Sequence, residues 1–230
     1  MNYKIIETTN GKAIYVNSSQ IADDMHYSEK NGIKHIIISQ YENQYTLKNI
    51  GFLQHCLFIE NVTISTWENI DYYALKFLKN LKVLNINILA VDKGELDFND
   101  FPNLEDLGIA WNNKRKNISS LKNLKILGLI KYKAKKLNEF SSLLNLEKLI
   151  LGESSVESLE GIESLINLKR LSLFKNKKLT SLKGLENLTN LENLEIEDCK
   201  SLESIEELRL LKNLKTIKIE NCGIIENMVL

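Results

Sequence analysis

The nine residues Leu168-Lys169-Arg170-Leu171-Ser172-Leu173-Phe174-Lys175-Asn176 state a pattern, L-x-x-L-x-L-x-x-N, that recurs on both sides of them. About 23 residues later it returns at 191–199, and then at 214–222. Earlier copies are anchored at Leu149/Leu151, Leu127/Leu129, Leu107/Ile109 and Leu84/Ile86, with two weaker ones at Cys56/Phe58 and Ile36/Ile38. Anchors stepping by roughly 20 to 28 residues leave each copy one strand and one return segment, too little to bury an apolar face alone. Copies must therefore stack. The 230 residues are expected to form one continuous array, not the one or two globular domains that length alone suggests.

The two anchors of each copy point inward from a short parallel strand, and the residues around them point outward. About nine such strands, ~4.8 Å apart, make a sheet ~40 Å long. Leu179, Leu182, Leu185, Leu188 and Leu191 recur every third residue, the spacing of a 3₁₀ turn rather than of an α-helix. Asp71 followed by residues 72–81 reads as a true helix, with Leu75, Leu78 and Leu81 feeding the core. Pro102 falls in the loop before Leu104, outside any ladder it could break.

The first segment does not repeat. Residues 3–8 and 12–16 flank Asn10-Gly11, a hairpin signal. Ser18 or Ser19 is placed to cap a helix from about Gln20 to Lys30, with Asp23 and Asp24 at its positive end and Asn31-Gly32 stopping it. Residues 1–32 are expected as an N-terminal cap of hairpin and helix, covering the raw apolar end of a repeat domain at 33–230.

The run from Asn176 to Leu191, N-x-x-L-x-x-L-x-G-L-x-x-L-x-x-L, resembles the 22-residue class of leucine-rich repeat seen in bacterial internalin-like proteins. The resemblance covers roughly residues 33 to 222. It implies an α/β solenoid: a horseshoe or arc with strands on the concave face and helical and 3₁₀ turns on the convex face. It carries no particular function, because such repeats serve many partners. The chain departs from the internalins in showing neither a secretion leader nor an anchoring segment, so their extracellular role is not carried over. With Met1 as the natural start it is expected to be cytoplasmic; a mature fragment that has lost its leader is the alternative.

Equal numbers of basic and acidic residues, 30 of each, give no global attraction to nucleic acid or membrane. No stretch approaches the ~20 apolar residues that cross a bilayer. No Gly-x-Ser-x-Gly, phosphate-cradling glycine loop, His-Glu-x-x-His or clustered Cys-x-x-Cys is present, so neither enzyme activity, cofactor nor metal is expected. His35 and His55 share one repeat phase and are expected as neighbours on the outer face; a metal there would lack a third ligand. Cys199 and Cys222 stand where Asn176 stands, and Cys56 on an inward strand position, so all three are expected to be structural thiols.

The outward positions line the concave face. They read His35/Ile37/Ser39, His55/Leu57/Ile59, Val83/Asn85/Asn87, Asp106/Gly108/Ala110, Ile126/Gly128/Ile130, Lys148/Ile150/Gly152, Arg170/Ser172/Phe174, Asn193/Glu195/Glu197 and Thr216/Lys218/Glu220. Ile126, Ile130, Ile150 and Phe174 make the middle apolar, with Trp111 and Tyr132 at the strand exits and glycines leaving room between them. Together with Val83, Asp106, Lys148 and Arg170 they are the residues expected to bind a protein partner, inside a charged rim at the C-terminal end.

From 112 to 136 the basic residues Lys114, Arg115, Lys116, Lys122, Lys125, Lys131, Lys133, Lys135 and Lys136 have no acid among them and are expected to form a ridge. The expected function is non-enzymatic protein–protein interaction through the concave face, by a rigid surface that loses little entropy on binding. Size and overall resemblance suggest an immunity protein that neutralises a toxin, or an adaptor. Nucleic-acid binding through the ridge is the alternative. Residues 224–230 offer little to cap the last turn, which leaves a homodimer contact at that end open.

Overall fold

The structure, a computed structural model, describes residues 3–41, 45–88, 92 and 94–223. They fall into two compact units, Met1–Asn117 and Ile118–Leu230. Expectations for residues 224–230 lie outside the described residues.

In the first unit, β1 (Ile5–Thr8) and β2 (Gly11–Tyr15) form an antiparallel hairpin around Thr9 and Asn10, with Gly11 already paired to Thr8. The turn thus sits one residue earlier than the Asn-Gly pair suggests, and Gly11 takes the left-handed φ of +90° that closes it. Strand β2 then pairs in parallel with β3 (His35–Ser39), which is followed in parallel register by β4 (Asn61–Thr66), β5 (Val83–Ile88) and β7 (Asp106–Ala110). A separate parallel pair joins β6 (Leu96–Asp97) to β8 (Arg115–Lys116).

The helix α1 (Ile21–Lys30) starts without a side-chain cap from either serine. Ser18 is otherwise engaged, its Oγ accepting from the Thr46 N–H at 2.7 Å. Asp24, buried in the first turn, reaches back to the Asn17 N–H and the Gln20 carboxamide, each at 2.7 Å. Burial pushes its carboxyl up, against the pull of those two hydrogen bonds. The helix ends at Asn31 and Gly32, as the sequence suggests.

The second unit holds five strands in parallel register: β9 (Ile126–Ile130), β10 (Lys148–Gly152), β11 (Arg170–Phe174), β12 (Asn193–Glu197) and β13 (Thr216–Glu220). From β9 to β12 the two anchors of every strand are buried, and between strands the leucines repeat at three-residue intervals. Leu185, Leu188 and Leu191 each donate to the carbonyl three residues back, at 3.1, 2.9 and 2.9 Å. Gly161 and Gly184 begin these returns with φ of +106° and +111°, and a Cβ on either would meet backbone atoms at 2.4 and 2.3 Å.

The same three-residue ladder corrects two expectations in the first unit. Residues 72–81 are not an α-helix: Tyr73–Phe77 is a 3₁₀ segment, and Leu75 within it and Leu78 and Leu81 beyond it donate three residues back at 3.0, 2.9 and 3.0 Å. The weak copy at Cys56/Phe58 is not a strand. Leu53, Cys56 and Ile59 stand three apart and form such a return around the 3₁₀ segment Gly51–His55. The strand comes later, as β4, with Val62 and Ile64 inward. Its β-branched alternation Val-Thr-Ile-Ser-Thr suits a pleated, half-buried surface better than the run around Cys56.

Two side-chain columns tie successive copies together. Asn103, Asn145, Asn167, Asn190 and Asn213, each just before a leucine, donate to backbone carbonyls one repeat earlier at 2.7–2.9 Å. Ser154, Asn176, Cys199 and Cys222 stand three residues past the second anchor of their strands. Asn176, fully buried, donates to the Leu151 carbonyl at 2.8 Å and accepts from the Ser154 N–H at 2.9 Å. The Cys199 thiol lies 3.5 Å from the Glu197 carbonyl, and the Cys222 thiol 3.3 Å from the Glu220 carbonyl.

Candidate functional site

On the second unit the register sorts the outward residues into three columns that cross the strands. The first is Ile126, Lys148, Arg170, Asn193 and Thr216; the second Gly128, Ile150, Ser172, Glu195 and Lys218; the third Ile130, Gly152, Phe174, Glu197 and Glu220. Parallel neighbours of this kind lie ~4.8 Å apart. The face therefore changes character along the stack, from apolar at Ile126, Ile130, Ile150 and Phe174 to charged at Glu195, Glu197, Lys218 and Glu220.

The four apolar side chains are all half-buried. Phe174 lies over Gly152, where a Cβ would come within 2.0 Å of its Cζ, so the absence of a side chain at Gly152 is what lets the ring lie down. Next to this patch, Lys148, Arg170, Ser172, Asn193, Glu195, Thr216 and Lys218 line a shallow hollow of about 350 Å³. Lys218 reaches Glu220 at 3.2 Å and Glu195 at 3.4 Å, which hold its amine above the ordinary lysine value. Ser172 Oγ is 3.5 Å from Glu195. Neither Lys148 nor Arg170 has an ion-pair partner among the described residues.

Ile126, Ile130, Lys148, Ile150, Arg170 and Phe174 are thus brought onto one face, while Val83, Asp106 and Trp111 belong to the first unit. Tyr132 and Val83 are 2% and 7% exposed and offer a partner little surface. The Tyr132 ring packs 5.1 Å from that of Phe140, and its hydroxyl points to Glu139. It stands at the same repeat position as Ser154 and Asn176, three past the anchor, where side chains turn inward. That phase was the signal for its burial.

The expected histidine pair does not exist. His35 on β3 is 5% exposed, between Thr63 Oγ1 at 3.1 Å and Thr8 Oγ1 at 3.4 Å, and burial lowers its pKa. His55 ends the 3₁₀ segment Gly51–His55, because the strand expected there is β4. Among the described residues no three His, Cys, Asp or Glu side chains gather as metal ligands, and no helix is long and apolar enough to cross a membrane.

The basic stretch also divides. Lys114, Arg115 and Lys116 lie in the first unit, and residues from Lys122 onward in the second. The Arg115 side chain is fully buried; it pairs with Asp92, donates to the Gly94 carbonyl at 2.6 Å and lies 5.5 Å from the Tyr72 ring centroid. Lys116 pairs with Glu95 at 2.7 Å, Lys135 with Glu157 at 3.0 Å, and Lys136 with Glu160. Four of the nine charges read as a ridge are thus paired with carboxylates of neighbouring copies.

A feature not anticipated from the sequence stands two residues before each first anchor. There Lys34, Glu60, Lys82, Glu105, Lys125, Glu147, Lys169, Glu192 and Lys215 alternate in sign without exception. The carbonyls of Lys34, Glu60, Lys82, Lys125, Glu147, Lys169 and Glu192 each take two N–H groups from the start of the following strand; Glu147, for instance, accepts from Lys169 at 2.9 Å and Arg170 at 3.1 Å.

Neither a protein-family model nor a curated protein sequence matches the chain. Solved structures do. Internalin C2 of Listeria monocytogenes is 19% identical with a TM-score of 0.54, the alignment covering 76% of this chain and 77% of that one. Internalin F of the same organism is 15% identical with a TM-score of 0.54, over 92% of this chain and 67% of that one. A plant peptide hormone receptor, RGFR1, in complex with RGF2, is 15% identical with a TM-score of 0.52, over 96% of this chain but only 37% of the receptor. With its parallel register, inward anchor pairs and three-residue returns, the chain has the leucine-rich-repeat fold of the internalins.

Proposed function

We propose that the chain is a non-enzymatic binding module that docks a protein partner on the outward sheet face of its second unit. The observation that carries this reading is the grouping of Ile126, Ile130, Ile150 and Phe174, large and only half-buried, on adjacent strands of a hydrogen-bonded sheet. Apolar groups held in that way mark interaction surfaces, with an aromatic as the anchor and charged residues as the rim. A sheet fixed by neighbouring copies is preorganised, so little ordering entropy is lost on docking. Structural likeness to internalins and to a receptor described in complex with RGF2 supports the same class of function. A toxin-neutralising or adaptor role is the form of it we propose.

The test is capture from the source cell's lysate by the intact chain and by an Ile130→Glu/Phe174→Glu variant, with and without nuclease. A protein bound by the first, lost from the second and indifferent to nuclease is the expected result. Binding that survives in the double variant overturns the proposal. A bound fraction removed only by nuclease moves the function to the lysines of 114–136.

A further inference from the structure

Lys148 and Arg170 are direct neighbours in the register of β10 and β11. Like charges side by side on adjacent strands repel, and the other such pair in the outward columns of the second unit is acidic, Glu197 beside Glu220. Two residues before the anchors its charges alternate Lys125, Glu147, Lys169, Glu192, Lys215, and pairs form at 2.9 Å between Lys169 and Glu147 and between Lys215 and Glu192. Lys135, Lys136, Lys183 and Lys218 also each have a carboxylate. Lys148 and Arg170 have none, and both open onto the 350 Å³ hollow, where Asn193, Ser172 and Thr216 add neutral hydrogen-bonding groups and the carboxylate of Glu195 is held by Lys218 at 3.4 Å. Ile126 and Ile150 flank the pair on one side, and Phe174 lies further along β11.

We infer that this hollow takes a carboxylate side chain from an acidic segment of the protein partner, with the partner's adjoining apolar residue on Ile150 and Phe174. The inference rests on the outward face being the binding site and adds the partner's chemistry. A carboxylate fits where a polyanion does not. The cationic row is two residues long, and beyond it Glu195, Glu197 and Glu220 would repel a continuing chain of phosphates. Arg170 supplies a planar donor fork matched to a carboxylate, and Lys148 a mobile point charge beside it.

The experiment is selection of a displayed library of random linear peptides on the full chain, repeated on Lys148→Glu/Arg170→Glu and on Ile130→Glu/Phe174→Glu. Both cations lie outside the core, so circular dichroism should be unchanged in the first variant. The intact chain should enrich Asp or Glu beside an aliphatic or aromatic residue. The charge-reversed variant should weaken those peptides by about tenfold or more and select Lys or Arg in place of the acid, and the apolar variant should retain neither set. Peptides without acid enrichment, lost only in the apolar variant, would leave the face as the site and overturn the acidic partner. Peptides indifferent to both variants would overturn the site itself.

Discussion

The carboxylate of Glu60 stands between two amines from neighbouring copies, Lys34 at 2.5 Å and Lys82 at 2.7 Å. It is the clearest unit of the alternating charges before the strands. Hydrogen bonds from the two lysines hold its carboxyl below the ordinary glutamate value. Glu60→Lys would set three cations in a row and should lower stability by about 1–2 kcal/mol in low salt, less in high salt. Because the folded pKa is depressed, the contribution of Glu60 is complete above the unfolded carboxylate value and lost as pH falls through the folded one. Urea midpoints of the wild type and Glu60→Gln should therefore differ at neutral pH and converge towards pH 3.

The return at 72–81 was expected as an α-helix and is a 3₁₀ segment; the repeat frame, most inward anchors and the 3₁₀ return of 179–191 were legible in the sequence, because each rests on the spacing of leucines. The second copy was not. Cys56, Phe58 and their neighbours are as apolar as a strand, and hydrophobicity alone does not separate a strand from a return. The alternating charges would have resolved it: two residues before Cys56 stands Gln54, whereas two before Val62 stands Glu60, between Lys34 and Lys82. The misplaced histidine pair followed directly from that one wrong register. At the candidate face the apolar positions were legible from alternation. The ion pairing that leaves Lys148 and Arg170 without partners depends on side chains from copies more than twenty residues apart in sequence.

Asn176, fully buried, closes two backbone groups inside the stack. Asn176→Ala should cost about 2–4 kcal/mol, since a buried carbonyl and a buried N–H both lose their partner. Asn176→Cys should cost less. The neighbouring copies already place a thiol there, and a thiol can still point weakly at the Leu151 carbonyl. Thermal unfolding of the two variants beside wild type checks the order.

Lys131, Glu153, Lys175, Asp198 and Asn221 all adopt positive φ, between 51° and 62°, one residue past the end of their strands. The conformation turns the N–H of each of the first four to the carbonyl of the next strand's last residue, at 2.9–3.1 Å. A non-glycine residue there is strained by ~1–2 kcal/mol. Glycine removes that strain but adds freedom to the unfolded chain. Lys175→Gly should therefore stabilise by about 0.5–1 kcal/mol, and Lys175→Val should destabilise by more than it. Denaturant midpoints at constant m-value decide.

The thiols differ in reach. Burial pushes Cys56 and Cys199 up to about 11, so neither forms appreciable thiolate near pH 8. Cys222 is only half-buried. A disulfide reagent added to native protein at pH 8 should modify Cys222 first and reach the other two only on unfolding. Rapid modification of Cys199 in the native state would mean that the last copies open far more readily than their packing implies.

Gly152 gives a way to disturb the face without touching its chemistry. A methyl group there would run into the Phe174 ring, and the ring can yield only by lifting off the sheet, because its backbone is fixed by strands on both sides. Gly152→Ala should thus change stability by less than ~1 kcal/mol, since the displaced ring moves into solvent rather than into the core. Partner binding should fall by about tenfold, roughly the effect of losing one aromatic anchor. Isothermal titration of the captured partner against wild type, Gly152→Ala and Phe174→Ala makes the comparison. If the face is read through the flat-lying ring, the two variants lose similar affinity. A Gly152→Ala variant that binds as wild type while Phe174→Ala does not would show that the partner needs the ring but not its orientation.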